Sequence, residues 1–390
     1  MKARSRRVVI VTTVPETLPF MRAQISELER AGFEVHCVSS PGELLERFAE
    51  SSKVRVHGVR MERRIDPLSD LRALRELVRL LRELEPVLVH SSTPKGGLLG
   101  TTAATIVRAP RRLYHMRGLP MDTAKGLNKA ILWSTEALSC ALAHRVIAVG
   151  KSVRDHAVAR RICAEGKITI LAGGSGQGVD AGGRFDPDRF SAESKADIRA
   201  RLSIPATAIV VGFVGRLVSE KGIPELHAAW SRLRERHTNL ELLLVGPPEP
   251  RDPVPPEVLA SLQSDPRVHL TGHVLDPAEY MSIMDLLVLP THREGFPNVP
   301  LEAAAMRLPV VASDIAACRE AVAHGVTGRL FPTKDSVALE RAIERYATNE
   351  VLRREHGARG RERVLAEFSA ARSAEALLVE YRRLLSEIGL

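Results

Sequence analysis

Chemically useful side chains are concentrated between His292 and Glu302, in the segment HREGFPNVPLE. The segment directly follows the apolar run LLVLPT and indicates a loop that opens a helix. Ligands of open α/β sheets bind beyond the carboxyl ends of strands, where helix N-termini offer unpaired N–H groups. There, Glu294 could accept hydrogen bonds from sugar hydroxyls and Glu302 from a ribose diol, while Gly295 would let the backbone approach a phosphate. On its own, Glu302 would be interpreted as a helical surface charge.

A second charged group lies in GRLVSEKG (215–222), again at the end of a strand-like run. Arg216 and Lys221 bracket a turn, and both could reach one diphosphate and supply its counter-charge in place of a metal ion. The alternative is a pair of solvated loop cations. Because both groups follow strand ends, the sequence favours the diphosphate.

The elements that must position these residues are short apolar runs that alternate with amphipathic helical stretches. Strand-like runs in the first half are 8–14, 33–40, 87–92, 111–118 and 145–150. Those in the second half are 208–215, 240–246, 267–274, 286–291 and 309–313. Continuous apolar strands separated by helices indicate parallel sheets covered on both faces, so the sequence predicts an α/β protein of two doubly wound domains.

The boundary between these domains is expected near 173–195, where GGSGQGVDAGGRFDP is dense in glycine and lacks apolar periodicity. We predict an N-terminal acceptor-binding domain over 1–183 and a C-terminal donor domain over 184–366. The remaining 367–390 form an amphipathic helix, predicted over about Ser373 to Ile388. Periodicity leaves open whether this helix packs on its own domain or crosses back to the first.

Composition is that of an ordinary globular protein, and 390 residues are too many for one hydrophobic core. The cysteines show no C-x-x-C pair, which argues against a disulfide framework or a zinc site and fits a reducing cytosol. The N-terminal apolar stretch is too short for a signal peptide, and a buried strand behind a basic tail is the better interpretation. No stretch approaches the ~20 apolar residues that span a bilayer. Trp133 and Trp230 are interpreted as packing residues.

The net charge is unevenly distributed. Residues 1–185 carry 30 Lys and Arg against 18 Asp and Glu, whereas residues 186–390 carry 26 against 29, so the first half holds the whole excess of the net +9. Such a field favours an anionic partner: a lipid surface, a nucleic acid or an anionic substrate. Four arginines spaced three and four apart share a helix face, as a solvated stripe or as a contact with anionic membrane, which we prefer: Arg72, Arg75, Arg79 and Arg82.

Several motifs, in order, resemble the C-terminal domain of glycosyltransferase family 4. They are GFVGRLVSEKG, LLLVG, LTGHV and EGFPNVPLEAAAMRLPVVASDIAACREAVAHGVTGRLF. The resemblance is strong over 208–332 and weaker through GFEVHCVSSPG, STPKGGLLG and ILAGGSGQGVD. It implies a retaining enzyme of GT-B fold, with two Rossmann-like domains facing each other across a cleft.

The resemblance also implies roles for individual residues. Arg216 and Lys221 would bind the donor diphosphate, Glu294 the transferred sugar and Glu302 the ribose. The remaining donor-site residues would contribute backbone and shape around the phosphates and the nucleobase: Gly215, Gly246, Gly272, His273, Val274, Gly295, Phe296, Pro297 and Asn298. The implied mechanism is front-face departure and attack, in which the leaving phosphate takes the acceptor's proton.

The first half departs from the family pattern in three places. The first strand is followed by TTVPETLPF, which lacks the glycine-rich turn. The usual histidine position holds Arg117, with His115 two residues earlier, and either or neither could take the role. Gln177 stands where asparagine is common. In the loop HSSTPKGGLLG (90–100), a phosphate site and an ordinary strand-to-helix turn are equally favoured.

Together these features predict transfer of a sugar from a nucleotide sugar, a UDP-sugar being the expected donor, to a lipid-linked or other saccharide acceptor. Surface-polysaccharide assembly in bacteria, at the inner face of the cytoplasmic membrane, fits the basic first half. No cofactor or metal is expected to be required. The alternatives are a non-hydrolysing epimerase, for which no convincing acid/base pair stands out, and a nucleic-acid-binding protein, which lacks an aromatic-rich basic surface. A catalytically silent scaffold is disfavoured by the presence of both glutamates and both cations.

Overall fold

The computed structural model describes residues 6–62, 64–122, 124–250 and 252–390, and the chain forms two compact units. The first contains Met1–Gly178 together with Ala370–Leu390, and the second contains Val179–Ser369. The basic tail MKARS, expected ahead of the first strand, lies outside the described residues.

The first unit is built around seven strands. They are β1 (Arg7–Val11), β2 (Glu34–Ser39), β3 (Arg55–Gly58), β4 (Leu88–Ser92), β5 (Arg111–Met116), β6 (Arg145–Ala148) and β7 (Ile168–Ile170). Its helices before the boundary are α1 (Arg22–Arg30), α2 (Glu43–Ser52), α3 (Pro67–Leu84), α4 (Pro94–Ile106), α5 (Gly126–Leu142) and α6 (Lys151–Ala159).

The second unit contains a six-stranded sheet. Its strands are β8 (Ile209–Val214), β9 (Leu240–Val245), β10 (Val268–Gly272), β11 (Leu286–Leu289), β12 (Val310–Ser313) and β13 (Gly328–Phe331). Its helices are α7 (Ala192–Arg201), α8 (Ile223–Arg236), α9 (Pro256–Ser264), α10 (Pro277–Met281), α11 (Asn298–Ala305), α12 (Ala316–Ala321), α13 (Ser336–Ala347) and α14 (Glu350–Glu367).

The last helix, α15 (Ala370–Ser386), belongs to the first unit, where it packs against α1. Its apolar face buries Leu377, Tyr381 and Leu384 in one cluster with Val8 and Ile10 of β1. The alternate residues of β1 join the opposite cluster, formed with α3 and α4. Because successive side chains of a strand point to opposite faces, both faces of this sheet are covered by helices.

Both sheets are parallel and have the same strand order around their first strand. The order is β3-β2-β1-β4-β5-β6-β7 in the first unit and β10-β9-β8-β11-β12-β13 in the second. The predicted α/β fold of two doubly wound units is therefore confirmed. In each sheet, successive strands are added first on one side of the initial strand and then on the other. The strand order therefore reverses at a central pair of neighbours, which is β1 and β4 in the first unit and β8 and β11 in the second.

Three strands escaped prediction because they lack an apolar run. The edge strand β3 reads RVHG and is exposed at both ends, β7 has three residues, and β13 reads GRLF. Toward the end of the stretch 173–195, where the domain boundary is expected, α7 begins at Ala192. There the Ser191 hydroxyl accepts the Ser194 amide at 3.1 Å and caps the helix.

The two tryptophans differ. Trp230 is buried, and its Nε1 donates to Asp265 Oδ2 at 2.9 Å, so its interpretation as a packing residue is right. Trp133 is 38% exposed on α5, and that interpretation is wrong for it. Within the described residues, no helix is both long and apolar enough to cross a membrane.

Candidate active site

The two sequence clusters lie on the central strand pair of the second sheet. The turn 215–222 follows β8, and the loop 290–297 follows β11, its neighbour in the sheet. Strands β9 and β10 continue on one side, and β12 and β13 on the other. Helices therefore leave these two strands toward opposite sides, which opens the crevice in which doubly wound sheets bind ligands.

An ion pair joins the two loops. Lys221 Nζ donates to Glu294 Oε1, and both side chains are largely buried, at 18% and 15% exposure. These residues are 73 positions apart in the sequence, and the structure brings them into direct contact. Each charge is thus held in place by the other before any ligand arrives.

Further contacts between the loops were missed by sequence reasoning. Arg293 Nη2 donates to Glu220 Oε1 at 3.2 Å, and His292 Nε2 lies 2.9 Å from Glu225 Oε1. The His292 amide also donates to the Glu220 carbonyl at 2.8 Å. The only signal in the sequence was opposite charge in two loops. These contacts lock the two turns together.

Two glycines permit the close backbone approach of these turns. Gly222 has φ +74°, and a Cβ there would lie 2.0 Å from the Pro290 carbonyl oxygen. Gly246, at the end of β9, has φ +140°, and its Cβ would lie 1.9 Å from the Gly215 carbonyl oxygen. The Gly215 amide donates to the Val245 carbonyl at 2.9 Å, so it supports the turn rather than facing a ligand.

Arg216 is held differently from Lys221. Its side chain is 58% exposed, and the one ion pair that it forms with described residues, to Glu249, is long at 3.5 Å. An exposed and weakly held guanidinium keeps its donors available to an incoming anion. The site therefore offers one fixed and one adaptable cation.

Glu302 lies in the second turn of α11 and is half-buried. Burial raises the pKa of its carboxyl to about 7, the positive charge of Arg184 opposes the rise, and the negative charge of Asp276 adds to it. Arg184 bridges to Asp276 Oδ1 at 2.9 Å and to the Leu275 carbonyl at 2.9 Å. Arg184 was missed because it lies in the segment interpreted as linker.

The predicted nucleobase segment lies at the end of β10, directly before Leu275. Gly272 has φ +67° and pairs with Gly246 across the strand ends. His273 is exposed, and Val274 is half-buried. Arg184 thus ties this segment electrostatically to Glu302, so residues predicted for base and ribose share one neighbourhood.

The loop into α11 contains the other predicted donor residues. Gly295 is half-buried, and Phe296 is buried with its ring 6.1 Å from that of Phe368. Pro297 occupies the N-cap position with φ −82°, and α11 begins at Asn298. The ring of Phe296 anchors the loop that leads from Glu294 into α11.

In the first unit, the two candidates for the family histidine have different surroundings. His115 is fully buried, and neither ring nitrogen has a hydrogen-bond partner in the described part of the chain. Burial, and then the charge of Arg117, lower the pKa of His115 well below its ordinary value. Arg117 directly follows β5, and its Nε donates to Ser92 Oγ at 2.8 Å.

The loop after β4 is filled by the protein's own contacts. Lys95 Nζ donates to Asp70 Oδ1 at 2.6 Å, and the Gly96 amide donates to Thr13 Oγ1 at 2.9 Å. The Gly97 amide donates to the Thr93 carbonyl at 2.7 Å. Since these donors are occupied, the structure favours an ordinary strand-to-helix turn over a phosphate site here.

Known proteins with similar sequences show the family. The model described as Glycosyl transferases group 1 matches residues 208–349, and the model described as Glycosyl transferase 4-like domain matches residues 19–174. The capsular polysaccharide biosynthesis glycosyltransferase CapM of Staphylococcus aureus is 33% identical over 384 residues, which cover 98% of this chain and 99% of that protein. The chain belongs to glycosyltransferase family 4.

A second relative and a solved structure are also similar to this glycosyltransferase. The N,N'-diacetylbacillosaminyl-diphospho-undecaprenol alpha-1,3-N-acetylgalactosaminyltransferase of Campylobacter jejuni is 26% identical over 74% of this chain and 75% of its own. The crystal structure of Anabaena HepE in complex with UDP-glucose superposes with a TM-score of 0.80 at 18% identity, over 97% of this chain and 99% of that one. The latter likeness shows the shared GT-B fold.

Metal ligands are not grouped in the described residues. No cluster of three or more His, Cys, Asp and Glu side chains there could hold an ion.

Proposed function

We propose that this glycosyltransferase moves a sugar from a UDP-sugar to a lipid-linked saccharide, with retention of anomeric configuration, in the assembly of a bacterial surface polysaccharide. The observation that carries the proposal is the junction of the two central turns of the second unit. There the Lys221–Glu294 pair joins the turns after β8 and β11, the exposed Arg216 lies in the first of these turns, and the half-buried Glu302 follows the second in α11. The crystal structure of Anabaena HepE contains UDP-glucose, which supports the choice of a UDP-sugar as the donor.

The charges of this site fit departure of a nucleoside diphosphate. Arg216 and Lys221 supply positive charge to the leaving diphosphate, and a water-poor site strengthens that interaction. Glu294 accepts hydrogen bonds from the sugar hydroxyls, while its contact with Lys221 keeps its carboxylate oriented. Glu302 accepts from the ribose hydroxyls and fixes the nucleoside.

Retention follows if attack and departure occur on one face of the sugar. The bond from the anomeric carbon to the diphosphate oxygen breaks, and the acceptor oxygen forms its bond to the same carbon from the same side. The acceptor's proton passes to the departing phosphate oxygen, so no protein nucleophile is needed. The two cations also make a divalent metal unnecessary.

Release of UDP from a panel of nucleotide sugars tests the donor half. Purified protein should release UDP in the presence of acceptor, Glu302→Ala should lose most of that activity, and EDTA should leave it largely intact. Coupling constants of the product's anomeric proton should report the donor's configuration. Full activity in Glu302→Ala, or strict Mn²⁺ dependence, would contradict the site assignment. Interconversion of sugar epimers without UDP release would favour the epimerase alternative.

A lipid-linked acceptor is supported by the outer surface of the first unit. Helix α4 packs between α3 and α5 in one layer. The outward face of α3 carries four exposed arginines that form no ion pair within the described residues: Arg72, Arg75, Arg79 and Arg82. Each contributes on the order of 1 kcal/mol of attraction to an anionic membrane surface. The Campylobacter relative, named for a diphospho-undecaprenol-linked acceptor, agrees with such a location.

The outward face of α5 adds apolar surface to the same layer. Leu127 is 77% exposed and Leu138 45%, and helical periodicity places both on the face opposite the buried residues of the helix. Lys125 and Lys129 flank this surface. Exposed apolar side chains beside basic ones are typical of helices that lie in the bilayer interface.

Sedimentation with vesicles tests the membrane proposal. The protein should bind vesicles that contain phosphatidylglycerol and not those of phosphatidylcholine alone. Replacing the four α3 arginines by glutamine should weaken binding, as should Leu127→Ser with Leu138→Ser. Equal binding to both vesicle types by all variants, or to neither, would contradict the proposal, while a salt-sensitive complex with nucleic acid would favour the other alternative.

A further inference from the structure

A half-buried cation in the first unit, Arg117, has no counter-ion among the described residues. Arg117 Nε donates to Ser92 Oγ at 2.8 Å, and Nη1 donates to Gln177 Oε1 at 3.0 Å. Nη2 is shielded from solvent and has no partner in the described part of the chain. Both acceptors are neutral, and Arg117 forms no ion pair with the described residues. Burial lowers the pKa of Arg117 to about 10, so the guanidinium stays charged at neutral pH.

The neighbours of Arg117 cannot balance its charge. The rings of His90 and His115 stack at 5.6 Å, and both are fully buried. Burial and the nearby Arg117 lower the pKa of His90 to about 3 and that of His115 well below its ordinary value, so both imidazoles are neutral. His90 Nδ1 is paired with the Tyr381 hydroxyl at 2.7 Å, but its Nε2 has no partner within the described residues.

The surroundings form a built site rather than a loose loop. Gly176 has φ +71°, and a Cβ there would lie 2.8 Å from His115 Nε2, so the glycine-rich segment packs directly on the ring. Gln24 of α1 fixes that segment by donating to the Gly176 carbonyl at 2.8 Å. Gln177, the next residue, accepts from Arg117. The guanidinium is thus oriented from two sides at the carboxyl edge of the sheet, where doubly wound units bind ligands.

We propose that Arg117 binds an anionic group of the enzyme's substrate, through paired oxygens of the kind that a carboxylate or a phosphate presents. A charge that is partly withdrawn from water without a counter-ion is unfavourable, and an anionic ligand reduces that cost while it satisfies the shielded, unused Nη2 donor. A guanidinium suits such oxygens because its donors form a planar fork. The identity of the ligand as a glycosyl substrate rests on the proposed function, whereas the anion site itself does not.

Two sources could present these oxygens, and they predict different selectivities. The carboxylate of an acidic sugar would make the enzyme prefer a uronic acid. The diphosphate of a polyprenyl-linked acceptor would make it prefer that acceptor over the same saccharide on a neutral alkyl chain. In either case the residue common in the family at this position, histidine, would supply no permanent charge.

The experiment compares kcat/KM within two substrate pairs: UDP-glucuronate against UDP-glucose, and polyprenyl-diphosphate-linked against alkyl-linked acceptor. Wild type should favour the anionic member of one pair, and Arg117→Gln should reduce that preference about 10- to 100-fold, as loss of a charged hydrogen bond does. Arg117→Lys should retain part of the preference, and Arg117→His should not. Arg108→Gln, which removes an exposed charge from the same unit, is the matched control.

A binding measurement separates this proposal from the proposed function. In saturating UDP, glucuronate or geranyl diphosphate should raise the melting temperature of wild type and Arg108→Gln but not of Arg117→Gln, whether or not any donor is turned over. Absence of a shift in wild type with both probes would overturn the anion site. So would an Arg117→Gln variant that loses activity equally on charged and neutral members of both pairs, because a purely structural role would give that result.

Discussion

The two units have sheets of the same strand order, but their central turns are joined by different chemistry. In the first unit, Thr13 Oγ1 and Thr93 Oγ1 lie 2.6 Å apart. In the second unit, ion pairs join the corresponding turns, chief among them Lys221 with Glu294. Because hydroxyls and backbone amides satisfy one another in the first unit, its central turns leave no charge for a ligand.

This difference teaches that topology locates a crevice while side chains decide its use. In the second unit the crevice at the central strand pair is charged. In the first unit an unpaired charge lies one strand further along, where Arg117 directly follows β5 and one of its guanidinium nitrogens has no partner among the described residues. Parallel order alone would have placed chemistry at the same position in both units.

Replacing one lysine in each unit gives the sharpest test of this difference. Lys95 with Asp70 and Lys221 with Glu294 are similarly buried ion pairs near central turns. Lys221→Ala should lower kcat/KM for UDP release by about 10²–10³-fold, because in the proposed mechanism it removes a charge that stabilises the leaving group. Lys95→Ala should change it by no more than a few fold. Steady-state kinetics measure both, and equal losses in the two variants would refute the division of roles.

The sequence could predict much of the fold because buried parallel strands appear as continuous apolar runs. The edge strand β3 is not buried, so it has no apolar run and was missed. Within the site, the strand ends could be recognised from the sequence, but the side chains that contact one another between the two loops could not. Contacts such as Arg293 with Glu220 depend on the register of loops 73 residues apart, which no local pattern contains. Likewise, only the packed structure shows that Arg117 has no counter-ion among the residues that the structure describes.

A glycine in each unit tests whether close packing serves the site or only the fold. Gly222→Ala would place a Cβ against backbone at a positive φ, and Gly97→Ala would place one 2.2 Å from the buried ring of Tyr114. Each should cost about 2–4 kcal/mol in the free energy of unfolding, measured in urea. At temperatures where both variants are folded, only Gly222→Ala should also lose activity, since its added Cβ would push apart the turns after β8 and β11. A fully active folded Gly222→Ala protein would contradict this.

Each unit contains a glutamate whose pKa is raised to about 7, Glu136 in the first and Glu302 in the second. In the first unit the raised pKa should affect the stability of the fold. Burial raises the pKa of Glu136 to about 7, and its Oε2 accepts from the Tyr114 hydroxyl at 2.7 Å. A raised folded pKa gives stability that is present below the unfolded pKa and is lost as the pH rises toward 7. Glu136→Gln, which keeps the acceptor, should therefore match wild type near pH 5 and exceed it at pH 8 by on the order of 2 kcal/mol. Urea unfolding at both pH values measures this, and no gain at pH 8 would contradict it.

In the second unit the corresponding titration should appear in ligand binding. The pKa of Glu302 is also raised to about 7, but no hydrogen bond to its carboxylate is formed by the described residues. Ribose hydroxyls donate to the ionised form, so acidification from pH 8 to pH 6 should weaken UDP binding by about five- to tenfold. Titration calorimetry should show this weakening of UDP affinity in wild type and in Glu136→Gln, but not in Glu302→Gln, whose side chain cannot ionise. If UDP affinity fell equally in Glu302→Gln, another group would control binding, and the contrast between a structural carboxyl in the first unit and a ligand-binding carboxyl in the second would be wrong.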